Sequence, residues 1–538
     1  MSIGRKVGVR AIASLVPIVF LLLAAPATAG RVVLVGVDGA GWSLIDPLLA
    51  EGALPHLASL LKDGASADLA TVEPVNSPTV WTSIATGRSP DVHKIRDFFS
   101  TGLDRPVPTI FERLAAQGLR VGLYDYLKTW PPRRLPGGFV IPGWTRRDGA
   151  VQPPDVFERA GRAPAYRYSN RNLRNRIDFI RSARRELTEK APQWNALVRA
   201  FDPQVGAVTF YSVDALGHRF WLDAFPEQFE RAPREPVDEH RGVIREAVVG
   251  VDAALGAIRG GLGPDDVLLL ASDHGFQAGD PEGRVWTSSL DALLEEEGLV
   301  ADRDPFRFVG QFFAVVIRVR PGPFESRDAL TDRLAGLLRG ASSKDGEALY
   351  TVDVLDARER PPGHARSLLN RLRQWGVRTF ARYAFHVDFG SEAHAFILAR
   401  PDADVLDPLW PNGRVLFAGK ERPIAEILYA EDFNGDHHPT AVFAVAGGPI
   451  AANPTRGSLS VLDLAPLIAY LAEAPIPDDL EGRLPIELID PEYLAAHPPR
   501  YVAAAELPIL PPLGADAAAP LAGEEELLEQ LKAMGYVR

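Results

Sequence analysis

Val32-Val33-Leu34-Val35-Gly36-Val37-Asp38 is the stretch whose reading decides the fold. An unbroken apolar run, with no polar residue alternating through it, marks a strand buried on both faces. Such strands belong to parallel sheets sandwiched between helices. Outward from it, Leu54–Leu61 and Ile110–Gln117 carry helical spacing, Gly118 closes the second, and Arg120–Tyr124 reads as another strand. Further strand candidates are Ala207–Tyr211, Val267–Ala271 and Val442–Ala446, and a helical pattern over Val243–Ile258 precedes the Val267 run. Alternating strands and helices predict an α/β fold: a mostly parallel central sheet with helices on both faces.

The chain has 538 residues, 46% hydrophobic and 24% charged, an ordinary globular composition that excludes collagen, coiled coil and wholesale disorder. Lys+Arg number 58 against 70 Asp+Glu, and a net charge of −12 argues against a nucleic acid duplex as partner. There is no cysteine, so disulfides, thiolate metal sites and a cysteine nucleophile are excluded. Any metal must be held by histidine and carboxylate. At the N-terminus, Arg5, Lys6 and Arg10 precede an apolar run, Ala11–Ala25, followed by Pro26 and Ala27-Thr28-Ala29. That run is shorter than the ~20 residues a membrane span needs. It reads as a signal peptide over residues 1–29, cleaved after Ala29, and it predicts a periplasmic or extracellular protein. Membrane contact is then expected only through an uncleaved N-terminal segment.

The expected organisation is a catalytic core over residues 30–275 and 432–505, an inserted cap subdomain over 276–431, and a linker with a C-terminal helix over 506–538. The cap region has short strands (Phe312–Val319, Ala393–Ala399) and an Arg-rich amphipathic segment, Ser367–Tyr383. Leu507–Pro520 is the linker, and Glu524–Gly535 the helix.

In parallel sheets, sites form at the carboxyl ends of the strands. Val32–Val37 ends in Asp38; Ala207–Tyr211 runs into Asp214 and His218; Val267–Ala271 runs into Asp273-His274. Asp214 and His218 share one helix face at i,i+4 spacing, and His437 adds an imidazole from the C-terminal half. These groups suffice for two divalent metals, which can clamp the attacking and leaving oxygens of a phosphoryl transfer. The hydroxyl-rich segment Val75–Gly87 opens with turn residues and becomes a helix. A hydroxyl there, at a helix N-terminus beside a metal, can serve as nucleophile.

These pieces also form motifs: Val35-Gly36-Val37-Asp38-Gly39, Ser77-Pro78-Thr79-Val80-Trp81-Thr82-Ser83-Ile84-Ala85-Thr86-Gly87, Ser89-Pro90-Asp91-Val92-His93, Asp214-Ala215-Leu216-Gly217-His218, Ser272-Asp273-His274-Gly275-Phe276 and Gly435-Asp436-His437. In this order they resemble the alkaline phosphatase superfamily, in its type I phosphodiesterase/nucleotide pyrophosphatase-like branch. The resemblance implies an alkaline phosphatase-like fold with Ser77 as nucleophile and Thr79 as its rival. It further implies one metal on Asp38, Ser77, Asp273 and His274, and a second on Asp214, His218 and His437. His437 is favoured over His438 by its spacing after Gly435. The implied cofactors are two divalent metal ions, zinc above all, and the implied reaction passes through a phosphoryl-serine that water then hydrolyses.

The pattern departs from the family where Lys94 follows His93 in place of glycine. Arg96-Asp97-Phe98 also stands where nucleotide pyrophosphatases carry an asparagine, so the resemblance does not extend to nucleotide specificity. The expected function is an exported metal-dependent hydrolase of phosphate mono- or diesters. The alternatives are a phosphoryl transferase or mutase with the same site, and a non-catalytic metal-binding module. Nine arginines between Arg159 and Arg185 fit either a solvated helix face or recognition of an anionic substrate or lipid head group. The expected partner is a phosphate-ester small molecule or such a head group. His93 is expected to structure its loop.

Overall fold

The Val32–Val37 run lies inside an eight-stranded sheet, with every residue buried. The computed structural model describes residues 30–511 apart from 97, 99, 144–149, 162–175, 230–235, 280–284, 289, 300–305, 311–314, 320–325, 357–394, 410–411, 432–433 and 454. The signal segment 1–29, the Ser367–Tyr383 segment and the Glu524–Gly535 helix therefore lie outside the described residues.

In chain order, β1 (Val32–Val37), β2 (Gly64–Ala70), β3 (Val121–Tyr126), β4 (Phe139–Pro142), β5 (Val205–Phe210) and β6 (Val267–Ala271) come first. β7 (Gly275–Ala278), β8 (Val285–Ser288), β9 (Leu428–Glu431), β10 (Gly435–His438), β11 (Thr440–Ala446) and β12 (Gly457–Ser460) follow. The sheet order is β12-β2-β11-β6-β1-β5-β3-β4. β11 runs antiparallel to β2 and β6, and every other pairing in this sheet is parallel. β1 pairs in register with β5 on one side and β6 on the other. The carboxyl ends of those three strands therefore sit side by side.

Six helices matter for the site: α1 (Pro55–Asp63), α2 (Ser77–Thr86), α3 (Arg176–Phe201), α4 (Ser212–Ala224), α5 (Val243–Arg259) and α6 (Leu464–Leu471). They cover both faces, as the pleat of β1 makes visible. Successive residues of a strand point to opposite faces. At Gly36, a Cβ would lie 2.6 Å from the ring of Trp81, which is fully buried on α2. Val37 faces the other way and lines a small apolar cavity with Val248, Val251 and Leu255 of α5. α1, α3 and α4 pack against α5, and α6 packs on α2.

Several elements escaped the sequence reading, β2 and α3 among them. β2 is built of Gly, Ala, Ser and Asp with a single Leu, and lacks β-branched residues altogether. It is a strand because β11 and β12 flank it. α3 spans 26 residues with Pro192 inside it, and its high charge reads from sequence as an arginine cluster rather than a core-packing helix.

Among the described residues, buried apolar side chains form two clusters. One, from Val32 to Ile489, fills both faces of the large sheet. The other draws only on residues between Leu290 and Leu428. The latter contains a four-stranded antiparallel sheet, ordered Tyr350–Asp356, Ala395–Pro401, Val315–Val319 and Phe306–Gly310, and the helix Arg327–Arg339. Two short antiparallel ladders, β7 with β10 and β8 with β9, mark where the chain leaves the first cluster and returns. Among the described residues, no single helix is long and apolar enough to cross a membrane.

Gly36→Ala places a methyl against an indole that cannot yield without moving α2. The variant is expected to lose about 1–3 kcal/mol of stability in chemical denaturation, with an altered near-UV spectrum from the displaced Trp81.

Candidate active site

Asp38 is the first residue beyond β1, and it is fully buried. Its Oδ2 accepts from Nε1 of Trp81 at 3.0 Å, and its Oδ1 accepts from Oγ of Ser77 at 3.2 Å. Ser77 opens α2. Its position follows from the Asn76 cap, whose Oδ1 accepts from the Thr79 amide at 3.0 Å. The tryptophan that needs Gly36 thus also ties helix, carboxylate and hydroxyl together.

Asp214 lies in the first turn of α4, and its amide donates to the Asp38 carbonyl at 3.1 Å. The start of α4 is held from beneath by a buried charge network that sequence reading missed. Glu186 of α3 accepts from the Tyr211 amide at 3.1 Å and from Oγ of Ser212. Lys190, fully buried, reaches Glu186 Oε1 at 2.5 Å and Asp125 Oδ2 at 2.7 Å. Burial disfavours its charge, but Asp125 and Glu186 outweigh burial and hold the lysine pKa above its usual value. The i,i+4 spacing of Glu186 and Lys190 was a visible signal, but it is the commonest pattern of exposed helices.

Three imidazoles meet these carboxylates, and each is oriented by a backbone carbonyl. Nδ1 of His218 lies 3.0 Å from Gly435 O, Nδ1 of His274 is 3.0 Å from Gly275 O, and Nδ1 of His437 is 2.7 Å from Val75 O. A carbonyl oxygen only accepts, so each Nδ1 carries a hydrogen, and in the neutral ring each Nε2 presents a lone pair. All three Nε2 atoms turn to the same place. Nε2 of His218 is 3.3 Å from Asp214 Oδ1, and Nε2 of His437 is 3.4 Å from the same oxygen. Nε2 of His274 lies 3.4 Å from Asp38 Oδ1, 3.4 Å from Asp273 Oδ2, 3.9 Å from Asp214 Oδ1 and 3.5 Å from Ser77 Oγ. His437 reaches this point because β10 pairs with β7, setting His437 opposite Phe276.

Two groups of potential ligand atoms result: Asp38, Asp273 and His274, all buried, and Asp214, His218 and His437, the two imidazoles of which are partly exposed. Within each group the atoms lie within 4.8 Å of one another. The donor set suits cations. Nε2 of His218 and Nε2 of His437 face each other 3.1 Å apart. Oδ2 of Asp273 is buried and has no hydrogen-bond donor among the described residues. Burial, then the charges of Asp38 and Asp214, push the Asp273 pKa well above the usual carboxylate range, and burial with Asp214 raises Asp38. Burial works the same way on Asp214, but His218 and His437 overcome it and hold that carboxyl well below the usual range. Divalent cations would answer the lone pairs and the crowded carboxylates at once.

The seven residues singled out from sequence, Asp38, Ser77, Asp214, His218, Asp273, His274 and His437, are thus gathered at one point. Of the neighbouring candidates, His438 and His93 are engaged elsewhere. Nδ1 of His438 accepts from the Thr440 amide at 3.1 Å. Thr79 is buried within α2, and its Oγ1 has no hydrogen-bond partner among the described residues. Nδ1 of His93 accepts from the Ile95 amide at 3.1 Å, so its Nε2 carries the hydrogen and donates to Ser83 Oγ at 2.9 Å. Burial, with Arg105 and Arg96 nearby, lowers the His93 pKa to about 4, and the ring is a neutral brace for its loop. Of the arginine cluster, residues 162–175 lie outside the described part. Arg159 stacks on Phe201, Arg184 pairs with Glu246, and Arg185 pairs with Glu189. Arg96 pairs with Asp91.

Comparison with solved structures places this chain beside murine ectonucleotide pyrophosphatase/phosphodiesterase 5, at 16% identity and a TM-score of 0.40, over 86% of this chain and 100% of that one. It is also similar to phosphonoacetate hydrolase from Sinorhizobium meliloti 1021 in complex with phosphonoformate, at 15% identity and a TM-score of 0.39, over 83% and 96%. No curated protein matches it in sequence. The family model described as type I phosphodiesterase / nucleotide pyrophosphatase matches residues 32–368. That match takes in β1, α2, α4 and the Asp273-His274 turn. This protein therefore belongs to the type I phosphodiesterase/nucleotide pyrophosphatase family of the alkaline phosphatase superfamily, and it is a phosphoric ester hydrolase.

Proposed function

We propose that this chain is an exported hydrolase that cleaves phosphate mono- or diesters through a phosphoryl-Ser77 intermediate, at a site for two divalent cations. The observation that carries this reading is the Ser77 hydroxyl, 3.2 Å from Asp38 Oδ1 and 3.5 Å from His274 Nε2, at the N-terminus of α2 and within the ligand cluster. Asp38, Ser77, Asp273 and His274 would hold one cation; Asp214, His218 and His437 would hold the other. When bound, such cations supply positive charge that lowers the pKa of hydroxyl and water and neutralises the oxygens of the transferred group.

The residues of the chain do the rest. Trp81 fixes Asp38, and Asp38 orients the Ser77 hydroxyl through Oδ1, its proton acceptor. Oγ forms a bond to phosphorus as the bond from phosphorus to the leaving oxygen breaks. The leaving group departs as an alcohol, taking up the proton that Ser77 releases. Water then adds to the same phosphorus, the bond to Oγ breaks, and Ser77 regains its hydrogen while phosphate or a monoester leaves. Zinc is favoured by a donor set of three imidazoles and three carboxylates beside the Ser77 oxygen. The two buried apolar clusters support a catalytic core over residues 30–275 and 432–505 with an inserted cap over 276–431. Export rests on the charged and apolar pattern of residues 1–29.

Ser77→Ala is expected to lower turnover of chromogenic mono- and diesters by about a thousandfold or more, while two cations per chain still bind; unaltered turnover would refute the nucleophile. Dialysis against a chelator should abolish hydrolysis and lower the thermal midpoint, and zinc should restore both. Ion release should be biphasic, because one ligand group is fully buried and the other reaches the surface through His218 and His437. A single phase would count against two sites of unequal access. N-terminal sequencing of protein recovered outside the cytoplasm should begin at Gly30.

A further inference from the structure

Beyond the seven site residues, one side chain with no assigned role makes an unusual set of bonds. Asn434, 2% exposed, directly precedes β10. Its backbone amide donates to His218 O at 2.9 Å, and its carbonyl accepts from the Gly279 amide at 2.9 Å. Its Oδ1 accepts from the Leu222 amide at 2.7 Å, and its Nδ2 donates to Arg219 O at 3.3 Å. Every polar group of the residue is engaged, three of the four on the turn of α4 that starts at His218. The next carbonyl, of Gly435, accepts from Nδ1 of His218 at 3.0 Å. Gly435 allows this approach because it lacks a side chain: a Cβ there would lie 2.3 Å from Gly217 O and 2.5 Å from the Phe276 ring. Two residues later comes His437, whose Nε2 is 3.1 Å from that of His218.

Resting on the two-cation reading above, we propose that Asn434 is a positioning residue. It locks the strand bearing His437 onto the helix bearing Asp214 and His218, and it sets the His218 tautomer. His218 and His437 lie more than two hundred residues apart in the chain, and Asn434 is where the chain returns after β9 from the second apolar cluster. Their spacing is therefore set where β10 meets α4. Asparagine suits the place because the pocket asks for an acceptor facing Leu222 N and a donor facing Arg219 O. Aspartate offers only the acceptor, leucine neither, and glutamine is one methylene too long for so enclosed a position. Hydrogen bonds that orient ligating side chains in this way commonly tune metal affinity ten- to a hundredfold.

The test uses the full chain with 15N-labelled histidine, as wild type, Asn434→Leu and Asn434→Asp. Two quantities are read: the His218 tautomer by NMR without metal, and the affinity for each of two Zn2+ ions by chelator competition. For Asn434→Leu, the Nδ1–H form of His218 should give way to a mixture. Affinity for one zinc should fall about tenfold or more, with the other zinc little changed, while the unpaired Leu222 amide lowers the thermal midpoint of the metal-free chain modestly. Asn434→Asp should fall between. Wild-type tautomer and affinities in Asn434→Leu would overturn the proposal. So would an equal loss of both zinc affinities together with the thermal midpoint, which would mark a merely structural role. If the leucine variant does not fold, the aspartate variant decides: wild-type values overturn the proposal and intermediate ones support it. A wild-type chain that binds no zinc, yet whose His218 tautomer responds to Asn434→Leu, would sustain the positioning role and refute the metal reading instead.

Discussion

Three carboxylates stripped of water, Asp38, Asp214 and Asp273, share one fully buried locus, ringing Nε2 of His274 within 3.9 Å. Ionised together, like charges about 4 Å apart would repel by about 4 kcal/mol per pair at an effective dielectric near 20, and burial adds a desolvation cost to each. No chain tolerates this without opposing charge. The site therefore draws in imidazoles, takes up protons where it has none, and is chemically suited to divalent cations. The surrounding scaffold holds these groups where repulsion alone would drive them apart.

The restraint comes from neutral, rigid partners. β1, β5 and β6 are adjacent and parallel, so their carboxyl ends deliver the three carboxylates to one edge. The Trp81 indole ties Asp38 to α2. Backbone carbonyls from Val75, Gly275 and Gly435 hold one nitrogen of each imidazole, leaving the other for the cluster. The Glu186–Lys190–Asp125 network, two carboxylates around one ammonium, anchors the start of α4 from below. Orientation is thus supplied mostly by backbone and buried pairs, which do not compete for the cations.

Much of this was legible along the chain. Apolar runs marked β1, β5 and β6, and the polar residues after them stood out because parallel sheets place function there. Ser77 stood out through the order of the family motifs. Other parts left no trace. β2 is too rich in small residues to announce itself, and α3 looked like a charge run although Ala183, Trp194 and Leu197 are buried core residues. Asn434-Gly435 looks in sequence like a turn dipeptide; its hydrogen bonds to α4 depend on a contact that local pattern does not encode.

The sequence by itself determined which residues could carry the chemistry, because buried strands and their terminal aspartates and histidines follow from hydrophobic periodicity and from residue type. Tertiary structure decided which nitrogen of each histidine faces the cluster, and which of two adjacent histidines enters it. Those choices rest on hydrogen bonds to carbonyls distant in the chain, as from His437 to Val75 and from His218 to Gly435. Such partners meet only after the sheet has formed, so no local reading of the chain contains them.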